Sequence, residues 1–350
     1  MDAINLKEFL TKVYYVPFGQ RPYAWDENDV NCFYNSIKNV YDGKYSRCYI
    51  NGVVVLEDAV VQPGSNRESM KYYLYDGQQR TCTTLIVISA ICSALKRLLD
   101  MEGLSESEAR KIYTKQISLI VNYIKDDDEY KFFPYEDNRE FFHKYIQDFE
   151  PFPSEKEIEL SSNKRIYKAY KVIEDNLIKD LNNYSSVKGK YDFLTGFISC
   201  LLEKFYLMEF ETSNKIEAKM IFNSINNSGK KLREIDILKN LLILHFDEVK
   251  VKDAWSVIST YVVEEDYRRL VKYTLDMMET QESVTDLNKR VELLFNNESL
   301  SDRFIFEFSE LAKIYSALKN PEMSTYFKGE YADKIKNILM DLKGINSSNY

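Results

Sequence analysis

The feature of the sequence that most constrains the fold is a change of pattern within residues 72–99, YYLYDGQQRTCTTLIVISAICSALKRLL. Aromatic and apolar residues run up to Asp76, which is typical of a partly buried strand. After Arg80 comes a long segment that is apolar nearly all round, as in a helix buried on most sides. Gly77 between them predicts a tight turn. We therefore expect a sheet packed against a buried helix.

The neighbouring segments extend this prediction to a fold class. YINGVVVLE (49–57) reads as a strand, GSNRES (64–69) as a turn and KYYLYD (71–76) as a second strand, which together predict a hairpin. From residue 101 the apolar spacing becomes helical. FYLMEFET (205–212) is the exception and could be a strand that returns to the sheet. The predicted fold class is α/β (α+β), with a mixed core followed by a mostly α-helical region.

Composition restricts the chemistry and the partners. The chain has 350 residues, 45% of them hydrophobic, and a formal net charge of −8. A protein that grips DNA with its whole surface is usually basic, so any DNA contact would be local, transient or made by a partner. With His143 and His245 as the only histidines, a zinc site of cysteine and histidine has almost no ligands to draw on.

The sequence predicts a cytoplasmic protein without a membrane span. The first residues lack the basic and then continuously apolar pattern of a signal peptide. The most apolar window, Leu85 to Leu95, is interrupted by Ser89 and Ser93 and is shorter than the ~20 residues of a span. The five cysteines are odd in number and form no C-x-x-C pair, so we interpret them as reduced thiols.

The segment from Asp76 to Arg80 admits two interpretations. In the structural one, Asp76 caps the helix and Gln79 reaches back, as in a capping box. In the functional one, the amide groups and positive dipole end at Gly77-Gln78-Gln79 hold a phosphate, and Arg80 adds a bidentate contact. Asp76 would then bind a metal ion or position water. This segment alone leaves both open.

A second Gln-Arg pair, Gln20-Arg21, lies in VYYVPFGQRPYAW (13–25). Pro17 and Pro22 on either side fix the backbone, which predicts a rigid extended loop. The alternative is an aromatic plug that closes the core, with Arg21 on the surface.

A third segment, MIFNSINNSGKKLREIDILKNLL (220–242), predicts a corner between two helices. The first helix would end near Asn226, with Gly229 as a left-handed C-cap and Asp236 available for local capping.

In this order, VPFGQRPYAW, YINGVVVLE, YDGQQRTCTTL and FNSINNSGKKLREIDILKN resemble the N-terminal domain of GmrSD-type modification-dependent restriction endonucleases. The resemblance extends from residue 5 to about residue 260, and its DGQQR and QR-x-Y-x-W motifs are specific. It implies a ParB/sulfiredoxin-like core that binds and hydrolyses GTP or ATP with Mg²⁺. Asp76 and Arg80 would be catalytic, with Asp76 as the Mg²⁺ ligand. The nucleotide-binding residues would be Gln20, Arg21, Gly77, Gln78, Gln79 and Arg80, with an additional site at Asn226, Gly229 and Asp236.

The expected organisation is a nucleotide-binding core over 1–100, a helical part over 101–245 that returns to the core near 205–240, and a helical extension over 246–350. Members of the family usually end in an HNH nuclease domain, which needs a histidine base. Residues 246–350 contain no histidine and therefore no such domain. A separate nuclease subunit, a truncated chain or a stand-alone nucleotide switch would each account for this.

Three functions follow from these features. The leading one is an NTP-binding and NTP-hydrolysing regulatory subunit of a bacterial anti-phage restriction system, which meets modified DNA directly or through a partner. The alternatives are a DNA-interaction module without hydrolysis and a protein-interaction scaffold of a defence system. A homodimer is compatible with each of them.

Overall fold

The computed structural model describes residues 3–61, 68–226, 248–278, 298–322 and 324–345, and singly residues 239, 242, 246, 287, 290, 291 and 294. The chain divides into two compact units, Met1–Lys230 and Lys231–Tyr350. The first unit carries all described strands, and the described part of the second is helical.

The first unit is built on a mixed sheet of seven strands. The strands of the chain are β1 (Ala3–Asn5), β2 (Tyr14–Tyr15), β3 (Cys48–Tyr49), β4 (Val53–Val61), β5 (Glu68–Asp76), β6 (Lys125–Asp126), β7 (Glu129–Tyr130), β8 (Phe132–Phe133) and β9 (Phe205–Thr212). The sheet order is β1-β9-β4-β5-β2-β8, β3 pairs with β9, and β6 and β7 form a separate pair. β4 and β5 are antiparallel, whereas β9 runs parallel to β4 and antiparallel to β1.

The first unit also contains eight described α-helices, and one of them lies at the centre of its core. They are α1 (Leu6–Phe9), α2 (Glu27–Tyr41), α3 (Gln78–Leu99), α4 (Glu106–Leu119), α5 (Glu136–Phe142), α6 (Ser161–Leu181), α7 (Val187–Lys204) and α8 (Lys215–Asn226). Among the described helices α3 alone is long and apolar enough to cross a membrane, but 78% of its apolar window is buried inside the protein. We therefore assign α3 as the central core helix, as its all-round apolar sequence predicts.

The second unit contributes four described helices with an aromatic core. They are α9 (Glu248–Tyr261), α10 (Tyr267–Met277), α11 (Glu298–Lys319) and α12 (Ala332–Ile345). Trp255 packs against Tyr267 and Phe308, at ring-centroid distances of 5.6 and 6.4 Å. The predicted fold class, a mixed α/β core followed by a helical region, is confirmed.

The predicted hairpin and the returning strand are also confirmed, as β4–β5 and β9. Two details differ. Residues 49–57 do not form one strand, because the chain leaves β3 at Tyr49 and enters β4 only at Val53, with Gly52 between them. A Cβ at Gly52 would lie 2.8 Å from Phe210 Cε2, so the chain passes too close to β9 there for a side chain. The predicted turn at 64–69 lies mostly outside the described residues.

Candidate functional site

The turn from β5 into α3 requires glycine. Gly77 has a φ of +93°, in the left-handed region that L-residues with a Cβ rarely adopt. A Cβ at this position would also lie 2.4 Å from Val53 Cγ1 on β4. Both the backbone conformation and the close approach to β4 therefore exclude a side chain, and the turn sits tightly against the sheet.

The capping box predicted for Asp76 and Gln79 is wrong. The N-cap of α3 is Gly77, one residue later than expected, and this helix start has no side-chain cap. Asp76 Oδ1 accepts a hydrogen bond of 2.7 Å from the Gly77 amide and not from an amide of the first helical turn. Gly77 adopts the turn conformation, so it occupies the position that Asp76 was expected to fill. The first-turn amides of α3 thus keep their anion-binding capacity.

Gln79 fastens the loop that carries the second Gln-Arg pair. Its Oε1 accepts a hydrogen bond of 2.7 Å from the Ala24 amide, and its Nε2 donates one of 3.2 Å to the Pro22 carbonyl. Both polar atoms of this buried side chain are therefore engaged with the loop backbone. Between these two contacts, the hydroxyl of the buried Tyr23 lies 2.8 Å from Thr83 Oγ1. The aromatic-plug interpretation is correct for Tyr23.

The loop brings Gln20 against Gln78. Gln78 Nε2 donates to Gln20 Oε1 at 3.4 Å, and the two side chains are only 6% and 4% exposed. Gln20 Nε2 is buried and has no hydrogen-bond partner. A buried donor left unpaired is costly in a folded protein, and such a group in a native structure calls for an explanation.

Asp76 and Arg80 form a partly buried ion pair one helical turn apart. Arg80 Nη2 lies 3.6 Å from Asp76 Oδ2 and donates a hydrogen bond of 2.8 Å to the Gly52 carbonyl. Burial raises the pKa of Asp76 above its ordinary value, while Arg80, the Gly77 amide and Arg21 oppose the rise. Burial lowers the pKa of Arg80, and Asp76 opposes that shift. The charge of Arg21 thus acts on Asp76, so both Gln-Arg pairs meet at this turn.

None of the three site residues predicted in the third segment has a described side chain. Asn226 is the last residue of α8, and nothing further is described of it. Gly229 and Asp236 lie outside the described residues. The additional site predicted there stays a prediction.

A second polar cluster lies on the sheet, and sequence reasoning did not assemble it. Lys12 Nζ lies 2.6 Å from Glu211 Oε1 and 3.2 Å from Glu209 Oε1. Glu57 on β4 hydrogen-bonds Glu211, which raises the pKa of Glu57 above its ordinary value. The alternation of Glu209 and Glu211 along β9 places them on one face of the sheet. Their lysine comes from a part of the chain nearly two hundred residues away.

A magnesium ion bound with a nucleotide would have one carboxylate of this chain at the turn, that of Asp76. Among the described residues, no group of three or more histidine, cysteine or acidic side chains could hold a metal ion. Mg²⁺ in nucleotide sites commonly uses one or two carboxylates together with phosphate oxygens and water. The single carboxylate therefore fits a metal that arrives with a nucleotide, and it does not fit a metal held by protein ligands alone.

Comparison with protein families gives one match over most of the chain. The model described as "GmrSD restriction endonuclease, N-terminal domain" matches residues 5–243. This range includes the turn at Asp76–Arg80 and the loop with Gln20 and Arg21. A search of curated proteins finds no match to the chain.

Proposed function

Because the chain belongs to the GmrSD restriction endonuclease family through its N-terminal domain, we propose that it binds and hydrolyses a nucleoside triphosphate, GTP or ATP, as a regulatory subunit. Membership of the family makes it a component of a restriction system. In the proposal it works in the cytoplasm, meets modified DNA directly or through a partner, and acts with a separate nuclease subunit.

The observation that carries the proposal is the unpaired Nε2 of Gln20. This buried donor lies beside Gln78 in the first turn of α3. An oxygen of a bound ligand would satisfy it and remove the cost of leaving it unpaired. Phosphate, ribose and base carbonyl oxygens are all acceptors of the kind that this amide requires.

The turn also offers what a phosphate needs. The start of α3 carries no acidic residue in its first turn and no side-chain cap, so its amides and the positive end of its dipole are available to an anion. Arg80 and Arg21 add positive charge near the same point. A triphosphate would therefore bind with its charge compensated by backbone amides and two guanidinium groups.

Asp76 is suited to the hydrolytic step. Its Oδ1 is held by the Gly77 amide and its Oδ2 faces Arg80, so the carboxylate is oriented but not used up as a helix cap. In the proposal Asp76 orients the attacking water, and Arg80 stabilises charge on the transferred phosphoryl group. A bound Mg²⁺, held by Asp76 and phosphate oxygens, would supply further charge neutralisation.

The test is Gln20→Leu, which removes the unpaired donor and keeps the side-chain volume. Because the Gln20 amide makes one long hydrogen bond, of 3.4 Å, we expect the melting temperature to stay near that of the wild type. GTP or ATP affinity, measured by calorimetry, should fall roughly tenfold. The control is Gln116→Leu, which removes a hydrogen bond to the Cys92 carbonyl, fourteen residues further along α3 than Gln78, and should leave the affinity unchanged.

Equal affinity in the Gln20→Leu protein would contradict the proposal. Phosphate release must also occur with purified protein and no DNA. Salt-sensitive DNA binding without any turnover would favour the DNA-interaction module instead.

A further inference from the structure

The last described helix, α12, exposes its apolar residues. Tyr331, which precedes the helix, is 63% exposed, and Ile335, Ile338 and Leu342 are 40, 49 and 47% exposed. The Tyr331 carbonyl accepts the Ile335 amide at 2.9 Å, so Tyr331 lies in register with the helix. An amphipathic helix normally turns its apolar stripe towards a partner, and contiguous exposed apolar residues mark interaction sites.

The spacing of these residues indicates which type of structural element would pack against them. Tyr331, Ile335, Ile338 and Leu342 follow one another at intervals of four, three and four residues, which is the a/d repeat of a coiled coil. A helix that packs on a sheet or in a globular core exposes or buries a wider stripe, whereas Leu339 and Met340 beside this one are only partly exposed. The partner that fits this narrow stripe is another helix.

The charges beside the stripe identify the partner itself. Lys334 and Asp341 occupy the two g positions of this repeat, and both are exposed. In an antiparallel pair of identical helices, g positions face each other, so Lys334 of each copy would meet Asp341 of the other. In a parallel pair, g faces e, and Lys334 would meet Leu339. Only the antiparallel pairing of two copies makes these charges complementary.

We propose that α12 pairs in an antiparallel manner with α12 of a second copy of this chain. Tyr331 of one copy then packs against Leu342 of the other, and Ile335 against Ile338, with two Lys334–Asp341 ion pairs at the edges. The helix has 14 residues, which is short for a coiled coil. The resulting homodimer is weak and depends on protein concentration.

Sedimentation velocity of the full chain over a wide concentration range tests this pairing. The wild type should shift from monomer to dimer as concentration rises. Lys334→Asp and Asp341→Lys each convert both ion pairs into like-charge pairs and should weaken the dimer roughly tenfold. An equimolar mixture of these two variants restores opposite charges at both edges and should dimerise as well as the wild type.

Two controls distinguish the helix–helix seam, which is the stripe of Tyr331, Ile335, Ile338 and Leu342, from other effects. Lys336→Asp makes the same chemical change outside the seam and should leave the dimer intact. Ile338→Asp places a charge in the seam and should abolish the dimer while the exposed position leaves the fold unaffected. A wild type that stays monomeric at all concentrations, or single variants whose mixture fails to recover, would overturn the proposal.

Discussion

At the scale of single residues, Asp76 is placed where its charge is costly. It is a mostly buried acid whose pKa is raised by burial, and two arginines and one amide partly compensate for this. A position chosen only for turn geometry would tolerate a neutral side chain, and the conformational demand of the turn is already met by Gly77. The proposed function gives this carboxylate a role in chemistry at the phosphate.

Asp76→Asn should separate chemistry from folding. The amide oxygen can still accept from the Gly77 amide, and the neutral group avoids the cost of burying a charge. The free energy of unfolding without nucleotide should stay within about 1 kcal/mol of the wild type. Mg²⁺-dependent NTP hydrolysis should largely disappear, since an amide binds Mg²⁺ weakly and cannot take a proton. Normal hydrolysis in this variant would remove Asp76 from the proposed machinery.

Arg80→Ala should weaken nucleotide binding about tenfold or more, through loss of a charge-assisted hydrogen bond of about 1.5–3 kcal/mol. The hydrogen bond from Arg80 to the Gly52 carbonyl gives this residue a structural role as well. The melting temperature should therefore fall as well. Arg97→Ala is the matched control for binding, because Arg97 lies at the other end of α3 and forms an ion pair with Glu174 on α6. If Arg80→Ala leaves the nucleotide affinity unchanged, the role of Arg80 is structural only, through its contact with Gly52.

At the scale of elements, the local patterns were predictable and the long-range contacts were not. The change of period at Asp76 predicted β5, the turn and α3, because each depends on neighbouring residues. The one-residue error in the N-cap arose because Gly77 takes a left-handed conformation, which a capping pattern does not reveal. The partners of Gln79 and Lys12 could not be predicted, because the loop and β9 reach them only through the tertiary fold.

Gln79→Leu tests the attachment of the loop to α3. The change leaves the Ala24 amide and Pro22 carbonyl without their partner, which should cost about 2 kcal/mol of stability. Hydrogen exchange at the Ala24 amide should accelerate, and NTP affinity should fall because Gln20 and Arg21 lose their fixed position. Gln116→Leu is again the control, since it should leave exchange at Ala24 unchanged. Protection of Ala24 that survives Gln79→Leu would show that Tyr23 holds the loop alone.

Glu57→Gln tests the pairing of acids between β4 and β9. The pKa of Glu57 is raised from 4.5, mainly by its hydrogen bond to Glu211. A raised pKa means that its contribution to stability is present at low pH and is lost as pH rises through the folded-state value. The variant should match the wild type near pH 4 and be more stable at pH 7.5, by less than about 1 kcal/mol for so exposed a pair. Thermal melts at both pH values give the difference in stability between the variant and the wild type. A difference that becomes smaller as pH rises would contradict this prediction.

At the scale of the whole molecule, the turn at Gly77 and the α12 stripe belong to different compact units. The family match ends at residue 243 and covers the first unit with the proposed nucleotide site. Residues 246–350 contain no histidine for HNH chemistry. In the proposed function, a separate nuclease subunit would cut the DNA and this chain would regulate it.

The purified chain should not cut DNA of any modification state in Mg²⁺ or Mn²⁺. Within the described residues, Lys12 beside Glu209 and Glu211 is an arrangement that could oppose this expectation, because some metal-dependent nucleases use carboxylates and a lysine. Plasmid nicking assays with wild type and Lys12→Met decide the matter. Nicking that Lys12→Met abolishes would locate a nuclease at that cluster.

The pairing of β1 with β9 has a consequence for synthesis of the protein. Ala3 lies opposite Met208, so β1, which is synthesised first, cannot pair until β9 has been synthesised. At about 5–20 residues per second, roughly ten to forty seconds separate the two on the ribosome. From the synthesis of β4 until that of β9, β4 lacks its neighbour, and the sheet beside the turn at Gly77 is incomplete. A nascent chain that ends before residue 205 therefore lacks the strand that pairs with both β1 and β4, and we expect it not to bind nucleotide.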